Sequence, residues 1–169
     1  MATKTLKKTA KKAVKNELTK SQMRVAVAKD ALKQIELEKY KACSGIYVDN
    51  ELENEIYESE PNTQVQKIIK DYTKPCEVCA RGALLLSSIR KFNDVTASKY
   101  EEKWEAKSKG IFSKKTLVLA EIAFEEWNKL NPSLIEESAY LFGRKYNNDE
   151  DRLKAILENI VANKGSFIP

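Results

Sequence analysis

PCEVCARGALLLSSIRKF, running from Pro75 to Phe92, locates the core of the fold. Pro75 sets the backbone angle of a first helical turn, so a helix is expected to open at Lys74-Pro75 and end near Phe92-Asn93. It carries Val78, Leu84, Leu85, Leu86 and Ile89, and the run Ala83-Leu84-Leu85-Leu86 is apolar nearly all round. A helix apolar on every side has to be covered on every side. We therefore place it at the centre, with the other elements around it.

On the N-terminal side, Val25, Ala28, Leu32 and Ile35 recur at steps of three and four, which predicts a helix from an N-cap at Ser21 to about Tyr40. Ser44-Gly45 breaks it. Ile46-Tyr47-Val48 is β-prone and predicts a small strand, pairing with the C-terminal tail. Asp49, Glu51, Glu53, Glu55, Glu58 and Glu60, closed by Pro61, read as an acidic loop. Val65, Ile68, Ile69 and Tyr72 predict a short helix.

On the C-terminal side, Tyr100 and Trp104 suggest a surface helix within residues 96 to 108. Ser113 caps a helix through Asn128 with Leu117, Ala120, Phe124 and Trp127 on its buried face. Asn131-Pro132 is expected to open a helix to about Tyr146, and Asn148 the last one, with Leu153, Ile156, Leu157, Ile160 and Val161 as its stripe. Gly165 ends it. The fold class is mainly α: a single compact domain of about six helices over residues 21 to 169, at most a small two-stranded β element, and a basic N-terminal arm over residues 1 to 20. A length of 169 residues suits one core, and 42% apolar residues suffice to fill it.

Charge is distributed unevenly. Lys4, Lys7, Lys8, Lys11, Lys12, Lys15 and Lys20 lie in the arm with one acid, Glu17, which leaves 23 basic and 24 acidic residues for the rest. Basicity belongs to the arm, and an evenly charged body argues against a nucleic-acid face across the domain. Lys4, Lys7, Lys8, Lys11, Lys12 and Lys15 are the candidate nucleic-acid contacts. They would give salt-dependent, sequence-blind attraction, although such a segment also serves as a solubilising tail. No apolar run is long enough for a membrane helix, and the N-terminus lacks the apolar core of a secretory signal. Three cysteines do not pair evenly, so a reducing cytoplasm is expected.

The chain has no histidine. That removes Ser-His and Cys-His nucleophiles, His-containing zinc sites and imidazole acid–base catalysis. Neither G-x-x-x-x-G-K-[ST] nor G-x-G-x-x-G occurs, so phosphate loops of those kinds are absent. Cys76-Glu77-Val78-Cys79 is a C-x-x-C that a helix N-terminus would activate as a redox pair, or that Cys43 and a carboxylate would complete as a metal site. A structural zinc site wants four Cys or His ligands and a redox motif a βαβ setting; neither requirement is met. Cys76 and Cys79 therefore read as packing thiols, and no metal or cofactor is expected. Glu121 with Glu125, and Glu136 with Glu137, read as solvated helix faces rather than acid–base pairs. Tyr100, Trp104, Phe124 and Trp127 read as core rather than as stacking platforms, because no basic stripe interleaves them.

Four stretches taken in order add a setting. VAKDALKQIELEKYKACSGIYV (27 to 48), CEVCARGALLLS (76 to 87), EIAFEEW (121 to 127) and RLKAILENIVANKGSFIP (152 to 169) together resemble a family of small phage and prophage proteins. The resemblance covers most of residues 24 to 169, excludes the lysine arm and transfers no catalytic or binding residue. It implies a viral or mobile-element setting, in the host cytoplasm or packaged in a virion. The leading expectation is a non-enzymatic accessory protein that binds another macromolecule, a protein by preference. The alternatives are a nucleic-acid-associated protein tethered by its arm, and a thiol- or metal-dependent enzyme using Cys76 and Cys79.

Overall fold

A computed structural model of the chain describes residues 18–92, 95–100, 110–127 and 129–169. The arm lysines Lys4 to Lys15, and Trp104, lie outside the described residues. Among the latter are seven α-helices and a two-stranded parallel sheet, so the chain is mainly α as its composition indicates. None of these helices is long and apolar enough to cross a membrane.

Helix α1 (Lys20–Glu36) is capped by Thr19, not Ser21. Thr19 Oγ1 accepts from the Gln22 amide while Gln22 Oε1 accepts from the Thr19 amide, a reciprocal box that satisfies two of the free amides at the helix start. Ser21 instead donates its hydroxyl to Lys164 O at 2.6 Å. The helix ends four residues before Tyr40, where Glu38 takes a left-handed φ of 57°. That release makes Tyr40–Ala42 a strand, β1.

The partner of β1 lies within the segment Pro75 to Phe92. Cys76–Val78 is strand β2, in parallel register Tyr40↔Cys76, Lys41↔Glu77 and Ala42↔Val78. The helix expected from Pro75 thus begins only at Ala80. Of the expected strand Ile46-Tyr47-Val48, only Val48 pairs, in an isolated bridge to Val78. The tail forms no strand either. Asn159 holds it through both amide atoms, Nδ2 to Ile168 O at 2.7 Å and Oδ1 from the Ile168 amide at 2.9 Å, and Phe167 stacks edge-on to Phe142.

The acidic segment is a helix and not a loop. Asp49 caps α2 (Asn50–Glu58) by accepting from the Glu51 amide at 2.7 Å, and Glu51 and Glu53 complement the positive end of the helix dipole. Leu52 and Ile56, four apart, bury the inner face. Helix α3 (Val65–Asp71) follows as expected, burying Val65 and Ile69.

Helix α4 (Ala80–Phe92) is the centre. Every residue from Gly82 to Ile89 is buried, and the helix packs against α1, α3, β2 and α5 (Lys114–Glu125). Its approach to the chain before it requires a glycine, because a Cβ at Gly82 would sit 1.7 Å from Tyr47 O. Ser113 caps α5 as expected. Helix α6 (Leu134–Gly143) opens at Ser133 rather than at Asn131-Pro132, and ends at Gly143 rather than Tyr146. Asn148 caps α7 (Asp149–Ala162), which buries Leu153, Ile156, Leu157 and Ile160 against α1 and α5. The buried apolar side chains form one contiguous cluster.

Candidate interaction surface

Helix α5 stops earlier than its apolar period suggests. Its cap, Glu126, takes a left-handed φ of 49°, and the Trp127 amide donates back to Ile122 O. The turn throws Trp127 off the buried face on which Leu117, Ala120 and Phe124 lie. Trp127 is consequently 58% exposed, where its spacing predicts core.

The chain that follows keeps its apolar residues outside. Leu130 is 98% exposed and Leu134 is 84% exposed, with Ile135 partly so. Leu141, seven residues and nearly two turns beyond Leu134, shares its helix face and is 52% exposed. Within α6 only Ala139 and Gly143 are buried, against α5, where a Cβ on Gly143 would meet Ala123 O at 1.9 Å. The helix is thus held by Ala139, Gly143 and the half-buried Tyr140 and Phe142, while Leu134, Ile135 and Leu141 face water. Single exposed leucines are ordinary, but four large apolar side chains exposed within 15 residues of sequence, a tryptophan among them, have the composition of a binding face.

The start of α6 is anchored by polar contacts. Ser133 and Glu136 form a capping box, and Lys129 Nζ binds Glu136 Oε1 at 2.6 Å. These contacts hold the Glu136 carboxyl well below its ordinary value, at about 2, with the Lys129 hydrogen bond as the largest cause. A depressed carboxyl stabilises the fold above its unfolded pKa and loses that contribution as pH falls through the folded one. The loss belongs between about pH 4.5 and pH 2. A carbon-detected NMR titration is expected to give Glu136 a midpoint near 2; a midpoint near 4.5 would mean that the box is open in solution.

Cys76 and Cys79 stand elsewhere, on β2 and at the entry to α4, both buried. The thiols are not at a helix N-terminus as a pair, since Cys76 lies in the strand. Burial pushes the Cys76 thiol up to about 12, and it also raises Cys79, against opposing backbone hydrogen bonds from Gly82 and Arg81. Burial of this kind disfavours the thiolate that a nucleophile needs. Among the described residues no group of three or more His, Cys, Asp or Glu could hold a metal ion. Titration of the native chain with a disulfide reagent is expected to label Cys43 first, and Cys76 and Cys79 only on unfolding. Rapid labelling of Cys76 would contradict its burial.

Three of the four carboxylates weighed for chemistry, Glu121, Glu125 and Glu136, have structural partners. Arg81 Nη1 donates to both oxygens of Glu121, at 3.1 and 2.9 Å, and Glu125 accepts from the Gly45 amide at 2.9 Å. Tyr100 and Phe124 are core. The sequence reading thus misses Trp127, Leu130, Leu134 and Leu141 as a group, although the apolar excess of LNPSLIEESAYLF over what α6 buries was there to be counted.

No family model, curated protein or solved structure matches the chain.

Proposed function

We propose that this chain is a non-enzymatic accessory protein of a phage or prophage, acting in the host cytoplasm or from within a virion by binding another protein. The exposed face of Trp127, Leu130, Leu134 and Leu141 carries the reading. Apolar side chains around a tryptophan recognise a complementary apolar protein surface, and they offer nothing to a phosphate backbone. The resemblance of residues 24 to 169 to phage and prophage proteins supports the setting. The burial of both C-x-x-C thiols weighs against the thiol-enzyme alternative.

The test uses the full chain as bait in host-cell extract, beside a Leu130→Asp/Leu134→Asp variant. Both leucines are so exposed that the variant folds as the parent does, which circular dichroism and melting check. The parent is expected to retain a protein that the variant loses, and that protein, once purified, to bind the parent alone. Equal capture by both baits would remove the face from the account. A second reading, tethering to nucleic acid, rests on the seven lysines of residues 1 to 20. It predicts capture of nucleic acid that is indifferent to the leucine substitutions.

A further inference from the structure

On elements other than the apolar face, a cavity of about 150 Å³ opens where α1, β1, α2, α3 and α4 meet. Four of its lining side chains are cationic (Lys39, Lys70, Lys74 and Arg90), and the carboxylates that act on the lining, Asp30 on Arg90, Glu51 on Lys74 and Asp49 and Glu51 on Tyr72, are not themselves part of it. That concentration stands out in a body whose acids outnumber its bases. The neutral polar groups add donors. Gln34, 4% exposed, also lines it. Tyr72 is 8% exposed, and its hydroxyl is buried without a partner among them. A buried hydroxyl left unbonded costs stability that a bound acceptor would recover.

The cations are differently committed. Arg90 Nε binds Asp30 at 3.1 Å, and Lys74 binds Glu51 at 2.5 Å. The two Nη groups of Arg90 reach no partner among the described residues, and its backbone is fixed by Gln66 Nε2, which donates to Ile89 O and Arg90 O. Lys39 Nζ donates to Thr73 O at the rim. Two of the four charges are therefore balanced, and Lys39 and Lys70 are not. A planar guanidinium edge with two further positive charges fits an oxyanion, and a dianion better than a carboxylate. The cavity is smaller than the roughly 300 Å³ at which drug-sized ligand pockets begin, so it suits a head group and not a whole cofactor.

We propose that this cavity is a binding site for a phosphoryl dianion, either inorganic phosphate or the phosphate of a small monoester, held by Arg90, Gln34 and Tyr72 with Lys39 and Lys70 at the mouth. The proposal is independent of the apolar face and of any protein bound there.

The test is calorimetric titration of the full chain, arm included, with sodium phosphate, glycerol 3-phosphate and sodium acetate at matched ionic strength and neutral pH. Phosphate is expected to bind with one-to-one stoichiometry and acetate much more weakly. Tyr72→Phe and Lys70→Gln should each weaken phosphate by about tenfold or more, as loss of a bond to a charged ligand does. Tyr72→Phe should not lower the melting temperature, since it deletes a hydroxyl that bonds to nothing in the empty site. Binding of glycerol 3-phosphate comparable to that of phosphate assigns the head group of an ester; binding of phosphate alone assigns the free ion. Absence of phosphate binding, binding that both variants retain in full, or acetate binding as tight as phosphate would each overturn the proposal. Retention by both variants would place the anion on the lysine arm.

Discussion

Replacement of Arg152 by Ala is expected to lower the stability of the chain by about 1–3 kcal/mol, the range for leaving buried hydrogen-bonding groups unmet. The side chain is 6% exposed and reaches five groups on three elements. Nη1 donates to Phe124 O at 2.9 Å and to Asp149 Oδ1 at 3.1 Å, Nε to Gly143 O, and Nη2 to Tyr146 O and to Glu126. Phe124 and Gly143 lie at the C-terminal ends of α5 and α6, where carbonyls lack intrahelical partners. One guanidinium on α7 thus closes two other helices. Alanine would leave the Phe124 carbonyl unmet, Gly143 O with only the Tyr146 amide, and Glu126 and Asp149 without the counter-charge of Arg152. Arg152→Lys should recover only part of the loss, because an ammonium cannot reproduce the fork of donors. Urea denaturation checks both variants, and a loss under about 1 kcal/mol for Arg152→Ala would show that the cluster contributes little. Glu126 forms the turn before Trp127, so the variant should also weaken partner binding.

Leu85→Ala should cost about 2–5 kcal/mol. Leu85 is 1% exposed on α4, between Leu84 and Leu86 at 0%, and the helices on either side cannot collapse into the space without moving one another. The spread in that figure reflects how far the site relaxes around the cavity. Denaturant melting decides the matter: a change under about 1 kcal/mol would mean that α4 is not the centre of the fold.

Periodicity carried a good deal of the architecture. The run Ala83 to Leu86 indicated the central helix because an all-apolar helix has few other places to go, and the stripes of α5 and α7 followed from their three- and four-residue steps. Boundaries were harder to read. Pro75 suits a first helical turn and the start of a strand equally, and only the pairing with Tyr40–Ala42, 36 residues earlier in register, selects the strand. Likewise Asp49 to Glu60 reads as loop by charge alone, while the pair Leu52 and Ile56 makes it a helix once a core is present to receive them. Nothing local marks Gly82 as a contact point, since its requirement comes from Tyr47 O.

The candidate surface escaped the sequence reading for a related reason. Trp127 continues the spacing of Leu117, Ala120 and Phe124, so a helix carried through Asn128 would bury it. The left-handed turn at Glu126, held by Arg152 from α7, is a tertiary effect. The cationic cavity was equally hidden, because Gln34, Lys39, Lys70, Tyr72 and Arg90 come together only when α1, α3 and α4 pack.

The central claim is that the helical body recognises a protein through its apolar face, and that the lysine arm adds only unspecific attraction. The most direct measurement is the affinity of the captured partner for the chain at 50 and 200 mM salt, for the parent and for a variant with Lys7, Lys8, Lys11 and Lys12 changed to Gln. The affinity is expected to change by less than about threefold across both comparisons, because apolar burial is not screened. A fall of roughly a thousandfold between those salt concentrations, the signature of six or more phosphate contacts, together with its loss in the lysine variant, would contradict that claim.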